Sequence, residues 1–139
     1  MREDGAMSLG HRPGPLRIVI ADDDPLLGRM LQAHLSERAD FEVVGLAANG
    51  REAIMLADEL EPDLVLLDVS MPVLDGIDAA RIIRQRASPP TVVLITGDDH
   101  ASDVRAYKAG AAAYVRKSGG LAPLIDVILA VSQLGILSA

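Results

Sequence analysis

The chain has 139 residues and a formal net charge of −7; half of its residues are hydrophobic, yet only three are aromatic. That length suits one domain with an aliphatic core, and the acidic balance argues against direct nucleic-acid binding, which needs clustered Lys and Arg to neutralise phosphates. With no cysteine, disulfides, thiolate metal sites and a cysteine nucleophile are excluded, and His11, His34 and His100 are too scattered to pair, so a metal site must be built from oxygen.

Residues 1–15, MREDGAMSLGHRPGP, lack the apolar centre of a signal peptide and read as a disordered lead-in to a domain spanning 16–139. No apolar run reaches the roughly 18 residues that cross a bilayer, so a cytoplasmic protein without membrane contact is expected. From Leu16 onward short β-rich runs alternate with helical stretches. LRIVIA predicts β1 over 16–21, and residues 25–38 predict α1, with Leu27, Met30, Leu31, His34 and Leu35 on one face at i, i+3, i+4 spacing. FEVVGLA predicts β2 over 41–47. Asn49 is a natural N-cap for α2 over 50–60, which gathers Ala53, Ile54, Ala57 and Leu60.

DLVLLD predicts β3 over 63–68, and α3 follows over 76–86. TVVLIT predicts β4 over 91–96, α4 is expected over 100–109, AAYVRK predicts β5 over 112–117, and α5 is expected over 121–134. The breaks SPP (88–90) and AGA (109–111) fit helix-to-strand turns. Five strands alternating with five helices predict βαβ units and a parallel sheet, an α/β doubly wound fold. The nearly unbroken apolar runs of β3 and β4 are those of strands covered on both faces.

In such a sheet ligands bind beyond the carboxyl ends of the strands, near a topological switch point. β1 ends at Asp22, Asp23 and Asp24, β3 at Asp68, β4 at Thr96 and β5 at Lys117, while β2 ends in Ala47 and Ala48 with nothing reactive. Converging carboxylates repel one another unless a hard cation is shared, and Mg²⁺ is the usual ion where few protein ligands are available. A carboxylate can also attack phosphorus to give an aspartyl phosphate, with charge at the phosphoryl oxygens neutralised by Mg²⁺, a lysine and a hydroxyl donor.

The DD pair in IADDDPLL, the aspartate in VLLDVSMPVLDG, the threonine in VVLITG and the lysine in AAAYVRKS together resemble the receiver domain of bacterial response regulators. The resemblance spans roughly residues 16–134, is nearest in style to receivers of regulators with a LuxR-type DNA-binding domain, and implies a (βα)5 flavodoxin-like fold with strand order 2-1-3-4-5. It implies that Asp68 is the phosphoacceptor. Asp23 would ligate Mg²⁺ directly, Asp22 through water, and Ser70 through its backbone carbonyl. Lys117 would pair with the phosphoryl group, Thr96 would swing in to hydrogen-bond it, and Tyr114 would be the aromatic switch. Gly76, within VLDG, would close the loop after Asp68. The resemblance further implies a histidine kinase or phosphotransfer protein as donor, and an output face formed by helix four, strand five and helix five, open to a homodimer or another protein. Ser118 stands where receivers often carry proline after the lysine, so a cis peptide is not expected there.

Plainer readings stand beside these. Asp24 before Pro25 reads as an acidic N-cap. Thr96 could be a strand-end turn residue and Lys117 a solvated lysine, and Tyr114 could serve packing as well as switching. In α5, Leu121, Leu124, Ile125 and Ile128 form one apolar stripe, and Val127, Ala130, Val131 and Leu134 a second. They make either one generous core face or a core face plus a docking surface. The enzyme alternative is a haloacid-dehalogenase-like phosphatase with an aspartate nucleophile in Asp22-Asp23-Asp24, although there the acidic pair follows the lysine. A degenerate receiver that only scaffolds an assembly is disfavoured by the intact set Asp22, Asp23, Asp68, Thr96 and Lys117.

Overall fold

The computed structural model of the protein describes residues 14–97 and 108–138, the last six of these by backbone alone. Its five parallel strands are β1 Leu16–Ala21, β2 Phe41–Ala47, β3 Leu64–Asp68, β4 Thr91–Thr96 and β5 Ala113–Arg116. Their order across the sheet is β2-β1-β3-β4-β5, as the receiver resemblance implies. The helices are α1 Pro25–Ser36, α2 Gly50–Leu60, α3 Gly76–Arg84 and α5 Leu121–Ser138. The expected α4 over 100–109 falls, except for its last two residues, outside the described residues, as does the lead-in up to residue 13.

Alternation along the strands divides the core into two layers, since neighbouring side chains on a strand point to opposite faces. Val19, Ala21, Val65, Leu67, Val92 and Leu94 pack with Ala53 and Ala57 of α2 and Ile77, Ala80 and Ile83 of α3. Ile18, Ile20, Leu64, Leu66, Val93 and Ile95 pack on the other face with Leu35 of α1 and Leu124, Ile128 and Val131 of α5. Each large aliphatic side chain buried this way contributes about 1.5–3 kcal/mol.

The boundaries differ from expectation in instructive places. α1 ends at Ser36, where the backbone N–H of Glu37 caps the helix on the His34 and Leu35 carbonyls. On α1 the inward face is narrower than the i, i+3, i+4 pattern suggests. Leu35 is buried and Leu31 partly so, while Met30 (49 % exposed) and His34 face outward. Asp63 stands just before β3 and takes the backbone N–H of Arg17 on its carboxylate at 2.8 Å. α3 stops at Arg84 and is capped by Gln85, two residues short of the expected 86. β5 ends at Arg116, and Lys117–Gly119 form a single 3₁₀ turn rather than a strand end. α5 runs on to Ser138, past the expected 134. Val131 belongs to the core face of α5, not to a separate stripe, and Val127 packs partly against the same layer. Ala130 is exposed, and the side chain of Leu134 is outside the described set. Among the described residues the apolar pattern of α5 is therefore a broad core face.

Candidate functional site: an acidic pocket at the switch point

β1 sends its connection to one edge through β2, whereas β3 continues the sheet in the other direction. The carboxyl ends of β1 and β3 therefore flank the switch point, where α/β sheets place their ligands. Among the described residues the buried polar or charged side chains are Asp22, Asp68 and Thr96. All three lie at the carboxyl ends of neighbouring strands, although burying such groups is costly without partners.

Carboxylate oxygens of Asp22, Asp23 and Asp68 lie within 4.8 Å of one another. Lys117, delivered by the turn after β5, reaches back so that its Nζ stands 3.1 Å from Asp68 Oδ2 and 3.3 Å from Asp22 Oδ2. The backbone N–H of Asp24 donates to Asp22 Oδ1 at 2.9 Å, and that of Ser70 donates to Asp68 Oδ1 at 3.2 Å. Asp22 is also tied to the edge strand, its own N–H donating to the Ala47 carbonyl at 3.0 Å. Asp23 is exposed and forms the solvent side of the cluster.

Electrostatics follow from this placement. Burial pushes the Asp68 carboxyl above its ordinary range, the Asp22 charge adds to the rise, and Lys117 and the Ser70 N–H only partly offset it. For Lys117 burial works against the ammonium, but the Asp68 and Asp22 carboxylates outweigh it and raise its pKa. With all groups ionised, three carboxylates against one ammonium leave a charge of −2. The donor set is all oxygen on the metal-facing side, and a divalent cation would bring that sum to zero. The residues present therefore fit a hard dication such as Mg²⁺.

Asp24 does something different. Its carboxylate accepts from the N–H groups of Leu26 (3.0 Å) and Leu27 (3.4 Å), so it caps α1 with Pro25 in the first turn. Thr96 closes β4 beside β5, in register with Arg116. Tyr114 is half-buried and packs against the α2–α3 layer. Gly76 is required by close packing, because a Cβ there would lie 2.1 Å from the Asp68 carbonyl oxygen. The sequence pattern did not single out Gly50, whose N–H donates to the Leu74 carbonyl at 2.9 Å and ties the loop after Asp68 to α2. Its only trace in sequence is a glycine directly after the capping Asn49.

Fold and pocket together place the chain among flavodoxin-like α/β domains that carry an acidic centre at the switch point. More closely, it belongs to the response regulator receiver domain family, whose pattern matches residues 18–129. It is 43 % identical over 120 residues to the transcriptional regulatory protein PdtaR of Mycobacterium tuberculosis, covering 86 % of this chain and 58 % of PdtaR. It is 39 % identical over 106 residues to protein-glutamate methylesterase/protein-glutamine glutaminase 2 of Methanospirillum hungatei, covering 73 % of this chain and 30 % of that protein. A solved two-component response regulator of the LuxR family from Aurantimonas sp. SI85-9A1 superposes with a TM-score of 0.81 at 33 % identity, covering 86 % of each chain. The chain thus spans about a third to three-fifths of the length of these curated relatives.

The protein is a receiver domain of the two-component signalling type, and the likeness to LuxR-family receivers read from its sequence holds. The haloacid-dehalogenase alternative has no support in fold or family. Among the described residues no helix is long and apolar enough to cross a membrane.

Proposed function

We propose that Asp68 accepts a phosphoryl group from a phosphohistidine of a histidine kinase or phosphotransfer protein, and that residues 16–139 form the receiver unit that does so. The observation that carries this reading is the convergence of Lys117 on Asp68 and Asp22, with Asp23 completing a three-carboxylate cluster. In the reaction a carboxylate oxygen of Asp68 attacks phosphorus, a P–O bond forms, and the P–N bond to the donor imidazole breaks. Burial and the Asp22 charge make ionising Asp68 costlier than in water, so Lys117 has two tasks. It holds Asp68 ionised before transfer and then shifts to an oxygen of the phosphoryl group. Thr96, at the neighbouring strand end, donates its hydroxyl to another of these oxygens.

Asp22, Asp23, Asp68 and the Ser70 carbonyl would hold Mg²⁺. When bound, the ion supplies charge neutralisation at the phosphoryl oxygens. The coupled movement of Thr96 and Tyr114 then biases the α4–β5–α5 face toward a second copy or an output partner. The same site would also support self-phosphorylation from small donors and self-dephosphorylation, without small-molecule turnover as an end in itself. The unit would act either as the receiver part of a transcriptional response regulator, whose output activity resides in another domain, or as a single-domain regulator.

The experiment is incubation with acetyl phosphate and Mg²⁺, followed by intact-mass measurement of wild type and Asp68→Asn. The reading predicts one added phosphoryl group on wild type, lost with chelator and absent from the variant. An equal gain on both proteins would refute it.

A further inference from the structure

The loop between Asp68 and α3 is held by two glycine contacts that leave no room for a side chain. At one end the Gly76 N–H donates to the Val69 carbonyl at 3.0 Å. In the middle the N–H of Gly50, the first residue of α2, donates to the Leu74 carbonyl at 2.9 Å. A Cβ on Gly50 would stand 2.2 Å from that carbonyl oxygen and 2.9 Å from its carbon. Reaching even 3.0 Å would require the peptide to retreat by at least about 0.8 Å, the difference between 3.0 and 2.2. Immediately before this contact Val73 has a φ of 70°, and the Leu74 N–H donates to the Pro72 carbonyl at 2.7 Å. A hydrogen bond closing across one residue of positive φ is the rare, strained form of the γ-turn. A β-branched residue there is a true outlier and persists only where its surroundings over-determine it. Val73 is also 70 % exposed, so no packing of its own side chain holds it.

We infer that Gly50 is a positioning residue for the acidic pocket: its amide clamps the Leu74 carbonyl, keeps the Val73 turn in its strained form, and so fixes the Asp68–Ser70 segment that the cation site requires. This rests on the Mg²⁺ reading above. The chain of contact is short and covalent on the loop side. Leu74 is four residues beyond Ser70, whose N–H holds Asp68 Oδ1, and Gly76 pins the same segment from behind. Outer-shell groups that orient ligands typically change metal affinity by about 10–100-fold when removed.

The test is Mg²⁺ titration of wild type, Gly50→Ala and Asn49→Ala, with amide exchange measured at Gly50 in wild type. Asn49 caps α2 by accepting the Glu52 N–H, so its loss weakens the helix start without touching the clamp. Mg²⁺ binding should weaken by about tenfold or more in Gly50→Ala and stay within about twofold of wild type in Asn49→Ala. By linkage, Mg²⁺ should slow exchange of the Gly50 amide in wild type. A folded Gly50→Ala with wild-type affinity overturns the inference, as does equal weakening in both variants. Should Gly50→Ala fail to fold, a Gly50 amide whose exchange ignores Mg²⁺ overturns it. Wild type that binds no Mg²⁺ at all would sink the cation reading itself.

Discussion

Lys117 is the only ammonium the described residues place among the three carboxylates, and its removal tests how the pocket is balanced. At separations up to 4.8 Å each pair of carboxylates repels by at least about 3.5 kcal/mol at an effective dielectric of about 20. On the same basis each Lys117 contact, at 3.1 and 3.3 Å, attracts by about 5 kcal/mol. Two attractions therefore roughly match three repulsions. Lys117 keeps 29 % of its side chain exposed, so solvent screens much of this, and a net loss of about 2 kcal/mol is expected for Lys117→Met. For a domain of this size that lowers the melting temperature by about 7 °C in chelator.

Mg²⁺ at about a hundred times its dissociation constant adds about 2.7 kcal/mol to any protein that binds it only when folded. The variant should bind it more tightly than wild type, because its carboxylates lack their counter-ion. The assay is thermal melting of both proteins with Mg²⁺ and with chelator. The expected result is a lower melt in chelator and a larger Mg²⁺-induced rise for Lys117→Met. A variant that melts with wild type in chelator, or gains no more than wild type from Mg²⁺, would refute the balance described.

Other outcomes separate the roles assigned to neighbouring residues. Asp24→Ala should cost about 1 kcal/mol through the lost helix cap while leaving Mg²⁺ affinity within about twofold of wild type, read by melting and titration. Leu66→Ala, which truncates a fully buried side chain in the central strand β3, should cost about 3 kcal/mol in urea unfolding with an unchanged denaturant slope. Asp68 has a folded pKa raised above its ordinary value of 3.8. Its contribution to stability is therefore full below that value and is lost as pH rises through the folded pKa. In chelator, Asp68→Asn should be more stable than wild type at neutral pH, with the gap closing toward pH 4; a gap that widens on acidification would contradict the sign.

The strands and the pocket were legible because both follow from local pattern, whereas the sheet order came from the receiver resemblance. Apolar runs of five or six residues are strands only when covered by helices, and a strand that ends in carboxylates points them at the switch point. Asp24 likewise announced its capping role by standing before Pro25. Less was visible wherever geometry decides between similar residues. Met30 and His34 share a helical period with Leu31 and Leu35, yet both are exposed. Val131 is buried in the core with Leu124 and Ile128, a wider stripe than periodicity alone specifies. Gly50 is invisible in sequence for a different reason: its partner is a backbone carbonyl 24 residues away, and no side-chain pattern records such a contact.

The central claim is that Asp68, and no other carboxylate of the cluster, receives the phosphoryl group. Borohydride reduces an aspartyl phosphate to homoserine, so reductive trapping after treatment with acetyl phosphate and Mg²⁺, followed by peptide mapping, reads the acceptor directly. The account predicts homoserine at position 68 and its loss when Mg²⁺ is chelated. Homoserine at position 22 or 23, or unmodified Asp68 alongside a phosphorylated protein, would contradict it.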